Sequence, residues 1–284
     1  MKYNAIIIAA GTSSRFVPIS YERPKGLIEV KGEVLIERQI RQLHEGGIYD
    51  ITIVVGYMAN LFTYLSKKYN VSIVKNEDYY CYNNTSSLIR VLNKLHNTYI
   101  CCSDQYYENN PFLTQPQESA YAVLYAKGTT NEYCIKINDR NQIQNVSIGG
   151  KDCWYMAGFS FFNSEFSDKF KKILRQEYNL LNTRLSYWED VYIKHINTLP
   201  FMIPIKFTDN ELVEFDSIDE LRQYDKSYIN YTRSTYINDI CNKINCKESH
   251  LSGFRKITNK NGVAFTFKYH NADYIYHNGE IETC

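Results

Sequence analysis

Two separated positive charges follow the first apolar segment of this chain. The segment 5–9 ends at Ala10-Gly11, and Arg15 and Lys25 come after it. A glycine loop at the end of a strand exposes backbone N–H groups that bind phosphate oxygens, because no side chain stands in the way. Arginine adds a planar fork of donors, and lysine adds a compact cation. We interpret these residues as a clamp for a polyphosphate, with a plain strand-to-helix turn as the alternative.

Carboxylates stand at the ends of two later apolar segments. Asp104 follows the first of them, and Asp216 lies beside Glu214 at the end of the second. Taken alone, each is more typical of a solvated strand end or a helix cap than of a functional site. The glycine loop matches neither the Walker pattern nor GxGxxG, which argues against an ATPase and against a dinucleotide-binding protein.

The elements that must position these residues alternate between strand and helix over the first hundred residues. This alternation favours a mainly parallel sheet covered on both faces, with ligand loops at the carboxyl ends of the strands. The predicted strands are residues 5–9, 51–55, 71–74 and 99–102, and the predicted helices are residues 34–45, 59–67 and 85–95.

The pattern changes beyond residue 120. Four strand-like runs, at residues 121–126, 133–137, 142–148 and 155–162, predict an antiparallel insertion that forms one wall of a pocket. Helices are expected again at 165–176 and 189–196, and a short strand at 212–215. Ser217 and Glu220 suit a capping box that starts another helix.

The composition argues against several classes of protein. The 284 residues carry a formal net charge of +1, so no bulk field attracts nucleic acid or an anionic membrane. The start of the chain shows no basic-then-apolar leader, and no apolar run approaches the roughly 20 residues that span a bilayer. The 8 cysteines form no CxxC pairs. We therefore expect a soluble, cytoplasmic protein with reduced thiols and no zinc site.

Longer strings resemble a known family. AAGTSSRF at 9–16, PKGL at 24–27 and VLIERQI at 34–40 are similar to the signature of nucleotidyltransferases that join an NTP to a phosphorylated small molecule. Within this MobA-like, sugar-phosphate nucleotidyltransferase superfamily, the chain most resembles the bacterial CTP:phosphocholine cytidylyltransferases. Further matches at 54–57, 82–88, 99–104, 130–133, 187–189 and 213–217 keep the resemblance collinear from about residue 3 to residue 225. Ser13 departs from the pattern, since many members carry a second glycine there.

The resemblance implies an α/β fold with a Rossmann-like, mixed, mainly parallel sheet flanked by helices. In that fold the antiparallel insertion forms the acceptor pocket. We expect a nucleotidyltransferase domain at 1–225 and a small C-terminal α+β extension at 226–284, with a helix and a hairpin around His270 and Asn271. A short stretch of this extension resembles the start of a choline-kinase small lobe. It is a kinase remnant, the cut end of a longer protein, a docking element for a partner, or an accessory hairpin.

The reaction that the resemblance implies is attack by a phosphate-monoester oxygen on the α-phosphorus of CTP, with pyrophosphate leaving. The nucleophile is anionic near neutral pH, so the protein must align two anions and neutralise their charge. Arg15 and Lys25 are the implied catalytic cations. Asp104 and Asp216 are the implied ligands of Mg²⁺, and Glu214 is a further ligand or a neighbour of the metal site.

The resemblance also implies where the two substrates bind. Nucleotide-binding residues are expected at Ala9, Ala10, Gly11, Thr12, Ser13, Ser14, Gly56, Tyr57, Asn83 and Ser86. Asn83 either distinguishes cytosine from uracil or merely precedes a helix. Because the quaternary ammonium of choline is recognised by aromatic faces and carboxylates, acceptor-binding residues are expected at Tyr133, Trp154, Tyr187, Trp188 and Glu189.

Three functions remain open at this point. The leading one is an enzyme that makes CDP-choline from CTP and phosphocholine. A second enzyme would use UTP, or would act on 2-aminoethylphosphonate, phosphoethanolamine or a sugar phosphate. The third is a regulatory protein that binds nucleotide without turnover. The presence of Arg15, Lys25, Asp104 and Asp216 together argues against the third, since a sensor has no need of a metal and pyrophosphate site.

Overall fold

The computed structural model describes residues 2–270 and 272–284. Its strands, in chain order, are β1 (Tyr3–Ala9), β2 (Glu29–Val30), β3 (Glu33–Val34), β4 (Asp50–Val55), β5 (Ser72–Lys75), β6 (Asn97–Cys102), β7 (Gln105–Tyr107), β8 (Ala120–Ile137), β9 (Ile143–Phe162), β10 (Ile203–Lys206), β11 (Leu212–Glu214), β12 (Leu251–Lys256), β13 (Ala264–Tyr269), β14 (Ala272–His277) and β15 (Glu280–Thr283). Its α-helices are α1 (Leu35–Glu45), α2 (Tyr64–Tyr69), α3 (Thr85–Arg90), α4 (Ser164–Glu177), α5 (Leu181–Leu185), α6 (Trp188–Lys194), α7 (Ile218–Tyr224) and α8 (Thr235–Ile244). No helix within these described ranges is long and apolar enough to cross a membrane.

The chain packs as two compact units. The first unit contains the chain up to Gly11 together with Ile36–Glu214, and the second contains Thr12–Leu35 together with Phe215–Cys284. The second unit therefore combines an early segment with the end of the chain. The domain boundary that the sequence predicts near residue 225 stays a prediction.

The first unit is built on a seven-stranded sheet of order β10-β8-β9-β6-β1-β4-β5. Strand β1 pairs in parallel with β4 and β6, β4 pairs in parallel with β5, and β10 in parallel with β8. Strand β9 runs antiparallel to both β6 and β8. The predicted mixed, mainly parallel sheet is confirmed. Strands β1 and β4 are almost wholly buried, which explains why they are mainly apolar.

Helix α4 shows how sequence spacing builds the core of the first unit. Asn163 caps its start, with its side chain accepting a hydrogen bond from the N–H of Phe166. Phe166, Phe170 and Leu174 follow at intervals of one turn, and all three are fully buried. Their face packs against Phe162 of β9, whose ring lies 4.4 Å from that of Phe166. A confirmed helix prediction therefore also fixes one wall of the core.

The antiparallel insertion consists of two long strands, and the prediction of four short ones is wrong. The runs at 121–126 and 133–137 both belong to β8, and those at 142–148 and 155–162 both belong to β9. The β8–β9 ladder continues through several register shifts between the paired runs. Bulges add residues to a strand without ending it, so polar residues and glycines inside the ladder resemble turns in the sequence.

Two predicted helices are shorter than expected. The first, at 59–67, is a 3-10 turn at Ala59–Phe62 followed by α2, and the second, at 85–95, is α3 followed by a 3-10 turn at Leu92–Lys94. Val91 separates the latter pair, with a φ of −122° that is not helical. Helical periodicity located both segments but not the break within each.

The second unit contains the pair β2–β3 and a four-stranded antiparallel sheet of order β12-β13-β14-β15. The predicted C-terminal hairpin is confirmed as β13 and β14, although position 271 lies outside the described residues. The flanking strands β12 and β15 were not predicted. At α7, the hydroxyl of Ser217 accepts from the N–H of Glu220, as predicted, whereas the Glu220 carboxylate accepts from the N–H of Asp216.

Candidate active site

The carboxyl ends of three parallel strands lie level at one edge of the sheet in the first unit. Ala9 is in register with Val55, and Ile8 is in register with Cys102. The residues that follow these strands, Ala10-Gly11, Gly56 and Asp104, therefore lie at that edge. Ala10 is 3% exposed, whereas Gly11 is exposed, and a Cβ added there would meet nothing within 4 Å. The backbone at Gly11 is thus open to an incoming ligand.

Gly56 packs tightly against the Ala10 backbone. A Cβ at position 56 would lie 2.8 Å from the Ala10 carbonyl oxygen and 2.6 Å from the side chain of Tyr79. The next residue, Tyr57, donates its backbone N–H to the same carbonyl over 3.1 Å. Three predicted nucleotide-binding residues are therefore held together by backbone contacts. Sequence reasoning missed Tyr79, because nothing in its neighbourhood distinguishes it from the other tyrosines.

A buried amide organises the segment that leads into α3. Asn76 is 1% exposed, and its amide nitrogen donates to the hydroxyls of Ser86 (2.8 Å) and Ser87 (3.1 Å). The Ser86 hydroxyl donates in turn to the carbonyl of Asn83. The side-chain oxygen of Asn83 accepts from the N–H of Asn84. Ser86 thus serves to shape this loop, and Asn76 is a structural residue that the sequence reasoning missed.

Two of the three predicted metal ligands, Asp104 and Glu214, are brought together in the first unit. Strand β11 pairs antiparallel with β7, and this places Glu214 opposite Gln105, the neighbour of Asp104. Burial and then the negative charges of Asp104 and Glu214 raise the pKa of the Cys102 thiol well above its usual value. The charges of Asp104 and Glu214 therefore both affect the same thiol, that of Cys102 at the end of β6.

Glu189 is a buried carboxylate with two side-chain donors. It is 8% exposed, and its oxygens accept from the hydroxyl of Tyr121 (3.0 Å) and the amide of Asn84 (3.3 Å). Burial raises the pKa of its carboxyl to about 7, although both hydrogen bonds favour the charged form. Glu189 therefore changes charge in the neutral pH range. Neither Asn84 nor Tyr121 was predicted as its partner.

The predicted aromatic residues occupy different environments. Trp188 is 2% exposed and belongs to the core, where its ring stacks on Tyr121 at 5.7 Å and meets Phe162 edge-on. Its ring therefore supports the position of Glu189, the next residue. Trp154 contacts Tyr125, and the ammonium of Lys206 lies 4.9 Å from its ring centroid.

The remaining two aromatic residues belong to one neighbourhood. Tyr133 donates its hydroxyl to Asp190 over 2.7 Å, and Tyr187 is 48% exposed. Burial, then the hydrogen bond to Asp190, and further the charges of Asp190, Glu189 and Tyr187, raise the pKa of the Tyr133 phenol. Tyr133 and Tyr187 therefore lie near the carboxylates of α6 without belonging to the buried core.

In the second unit, both predicted cations converge on one predicted carboxylate. Arg15 forms an ion pair with one Asp216 oxygen, and the ammonium of Lys25 lies 3.0 Å from the other. We call Arg15, Lys25 and Asp216 the clamp cluster. The Lys25 side chain is 10% exposed, whereas that of Arg15 is 73% exposed. The cluster thus combines a fixed, mostly buried cation with an exposed one.

The loop between Gly11 and Arg15 explains the departure at Ser13. Ser13 has a φ of 52° and a ψ of 37°, in the left-handed region that glycine enters at the least steric cost. The Ser13 hydroxyl accepts from the backbone N–H of Lys25 over 3.2 Å. A serine therefore keeps the conformation that suits glycine, and its side chain ties the two cation-bearing segments together. Thr12 and Ser14 flank it, and Ser14 begins the 3-10 turn Ser14–Phe16.

Comparison with known proteins places this chain among nucleotidyltransferases. Residues 5–121 match the MobA-like NTP transferase domain. The chain is 32% identical over 222 residues to the choline-phosphate cytidylyltransferase of Streptococcus pneumoniae, covering 78% of this chain and 96% of that protein. It is also 32% identical over 238 residues to the 2-aminoethylphosphonate cytidylyltransferase of Lancefieldella rimae, covering 82% and 96% respectively. A solved structure of the S. pneumoniae CTP:phosphocholine cytidylyltransferase superposes with a TM-score of 0.76, covering 80% of this chain and 99% of that one.

Proposed function

The chain belongs to the family of the choline-phosphate and 2-aminoethylphosphonate cytidylyltransferases, and we propose that it transfers CMP from CTP to phosphocholine, giving CDP-choline and pyrophosphate. The observation that carries this proposal is the clamp cluster. Arg15 and Lys25 both pair with Asp216 in the second unit, although nine residues lie between them in the sequence. Two converging cations are what a triphosphate and a departing pyrophosphate require.

The two cations have different parts in the proposed reaction. Lys25, held by its burial and by Asp216, presents its charge at a fixed position, and this favours stabilisation of charge that develops on the leaving pyrophosphate. Arg15 lies largely in solvent and offers several donors to the phosphates of an incoming nucleotide. No general base is required, since a phosphate monoester is anionic at neutral pH.

A divalent cation belongs to the proposed reaction, and the residues present fit one. Mg²⁺ prefers oxygen ligands and is commonly bound by one or two carboxylates plus substrate phosphates. The pair Asp104 and Glu214 supplies such oxygens at the end of β6, and Asp216 supplies them in the second unit. Within residues 2–270 and 272–284, no three Asp, Glu, His or Cys side chains form a ready metal cage. When bound, Mg²⁺ would neutralise charge on the α-phosphate. We propose Asp104 and Asp216 as its ligands and Glu214 as the neighbouring carboxylate.

Nucleotide and acceptor are proposed to bind through the remaining predicted residues. The backbone at Gly11 is open, and Gly56 and Tyr57 lie against the neighbouring Ala10, so we place the base at this edge of the sheet beside Ala9, Ala10 and Gly11. For the acceptor, Tyr133 and Tyr187 supply aromatic faces and Glu189 supplies a carboxyl group, which is negative when ionised, a combination that suits a quaternary ammonium group.

A second acceptor, 2-aminoethylphosphonate, is supported by a specific observation. The L. rimae relative named for that acceptor is as similar to this chain as the S. pneumoniae one, at 32% identity. A primary ammonium group donates hydrogen bonds, and the carboxylates of Glu189 and Asp190 would accept them. The two acceptors thus place different demands on the same residues, since choline depends more on the rings and the amine more on the carboxylates.

Pyrophosphate release tests the assignment. The four NTPs would each be combined with phosphocholine, 2-aminoethylphosphonate, phosphoethanolamine and a sugar 1-phosphate, with Mg²⁺ present. We expect the highest kcat/KM for CTP with phosphocholine. A higher kcat/KM with 2-aminoethylphosphonate would transfer the assignment to that acceptor. Binding of CTP without turnover of any pair would instead identify a nucleotide-binding regulatory protein.

A further inference from the structure

The tail, defined as residues 226–284, packs within the same unit as the clamp cluster. It lies outside the collinear resemblance that ends near residue 225, so the family pattern gives it no role. Two separate stretches of the chain make up this unit. The early segment, Thr12–Leu35, carries Arg15 and Lys25, and Phe215–Cys284 contains the Asp216 segment (215–225) followed directly by the tail. The contacts between them indicate what the tail does.

The early segment contains little regular secondary structure and forms hydrogen bonds to the tail. Tyr21, between the two cations in sequence, donates its hydroxyl to the Ala264 carbonyl of β13 over 2.9 Å. Its ring also packs near Phe265, at 6.4 Å between centroids. Further along, the Tyr228 hydroxyl donates to the Glu29 carbonyl over 2.6 Å. The tail thus holds this segment on both sides of Lys25.

The carboxylate of Glu22 forms a third contact between the early segment and the tail, at the start of α8. Glu22 accepts from both the backbone N–H and the hydroxyl of Thr235, the first residue of that helix. A carboxylate is favourable at a helix N-terminus, where backbone N–H groups have no partner within the helix. This contact orients α8 of the tail against the turn that precedes Pro24-Lys25.

A buried guanidinium forms hydrogen bonds between the Asp216 segment and the tail. Arg222 of α7 is 9% exposed, and it donates to the backbone carbonyls of Tyr228 (3.2 Å), Glu248 (2.8 Å) and Leu251. The carboxylate of Asp219 accepts from the N–H of Gly253 over 2.8 Å. Helix α7, which begins just after Asp216, therefore cannot shift without breaking its hydrogen bonds to the tail.

We infer that the tail holds the segments of the clamp cluster in position. In this inference Tyr21, Tyr228 and Arg222 are positioning residues acting through Lys25 and Asp216. The early segment relies on 3-10 turns, which are short and weakly hydrogen-bonded, so its position must be imposed by packing. The effect on catalysis rests on the proposed function, whereas the effect on the geometry of the early segment does not.

The test uses the full-length chain with the double variant Tyr21→Phe, Tyr228→Phe, which keeps both rings and removes the two hydroxyl donors. Tyr231→Phe is the matched control, because Tyr231 belongs to the tail and is 65% exposed. Each lost hydrogen bond is expected to speed local opening by about fivefold, and the two losses multiply, so hydrogen exchange of the amides at 12–35 should accelerate by about 25-fold in the double variant only.

The kinetic readout separates positioning from general weakening. In the double variant, kcat/KM for CTP should fall by about tenfold, while KM for the acceptor stays within about twofold, because misplaced cations affect the triphosphate first. Unchanged exchange at 12–35, or equal losses for CTP and acceptor, would overturn the inference. Arg222→Lys keeps the charge but not the fork, and it should accelerate exchange at 215–225 as well. If the unmodified chain turns over no substrate pair, the proposed function fails. Hydrogen exchange still decides whether the tail holds the early segment in position.

Discussion

Lys25→Met isolates the charge of the more buried cation in the clamp cluster. Methionine resembles the lysine stem in length and flexibility, so the substitution removes the ammonium group while it keeps most of the packing. Because the Lys25 side chain is only 10% exposed, water replaces the lost charge poorly. Arg15, whose side chain is 73% exposed, is the weaker test, since solvent and salt screen it.

The expected magnitude follows from the distance in the ion pair. The Lys25 ammonium lies 3.0 Å from the nearer Asp216 oxygen. Two unit charges at that separation interact by about 5 kcal/mol at an effective dielectric constant near 20, before desolvation is subtracted. A phosphate oxygen at a similar distance would gain a comparable amount. Removal of one preorganised donor elsewhere costs about 10² to 10³ in kcat, and we expect a loss in that range.

Pyrophosphate release at saturating CTP and acceptor is the assay, and Lys172→Met on the exposed side of α4 is the control. The control should retain full activity. Thermal unfolding of Lys25→Met should remain cooperative, since Asp216 keeps its ion pair with Arg15. A folded Lys25→Met protein with kcat within about threefold of the parent would refute the reasoning, because no charge of Lys25 would then be used in the transition state.

Three further substitutions test other parts of the site. Asp104→Asn should lower turnover by about 100-fold or more and raise the Mg²⁺ concentration needed for half-maximal rate, and an unchanged Mg²⁺ dependence would remove Asp104 from the metal site. Gly56→Ala forces a Cβ to within 2.8 Å of the Ala10 carbonyl oxygen, so it should cost roughly 1–3 kcal/mol in unfolding free energy and raise KM for CTP, which calorimetry and kinetics would measure. Glu189 has a folded-state pKa of about 7, above its unfolded value, so its ionisation destabilises the fold progressively as pH rises from about 4.5 to 7. Glu189→Gln should therefore raise Tm at pH 8 more than at pH 5 and remove the dependence of acceptor KM on pH near 7; a parent protein whose acceptor KM is flat between pH 6 and 8 would contradict this.

The central strands β1 and β4 of the first unit could be predicted because they are buried on both faces. Residues 5–9 are apolar without interruption, and residues 51–55 are apolar except for Thr52, a pattern typical of buried parallel strands. The long strands β8 and β9 were misread as four, since Gly128 and Gly149, with φ of 86° and 79°, interrupt the apolar pattern without ending the ladder. Strands β12 and β15 were missed because β15 is largely exposed and mostly polar, and β12 lies beside a bulge.

The candidate site was predictable in its charges but not in its burial. The spacing of Arg15 and Lys25 predicted a cation pair, and the structure brings both to Asp216. Sequence patterns did not show that Trp188 packs in the core and that the next residue, Glu189, is buried with it, because each could equally have faced an open pocket. Which side of a short helix faces the core depends on neighbours that are distant in sequence, here Tyr121 and Phe162.

The resting state of the clamp cluster bears on how the nucleotide enters. Two cations and one carboxylate leave a net positive charge, and each cation already has a carboxylate oxygen as a partner. In the proposed reaction an incoming triphosphate would compete with Asp216, and it would do so more easily for the exposed Arg15 than for the buried Lys25, because the exposed ion pair is weakened by water and salt. In that reaction the exposed pair would exchange its ligand, whereas the buried pair would preserve the geometry on which the proposed transition state depends. Since the tail forms hydrogen bonds to both segments that carry these charges, the division between an exposed and a buried cation is a property of the whole second unit and not of the two side chains alone.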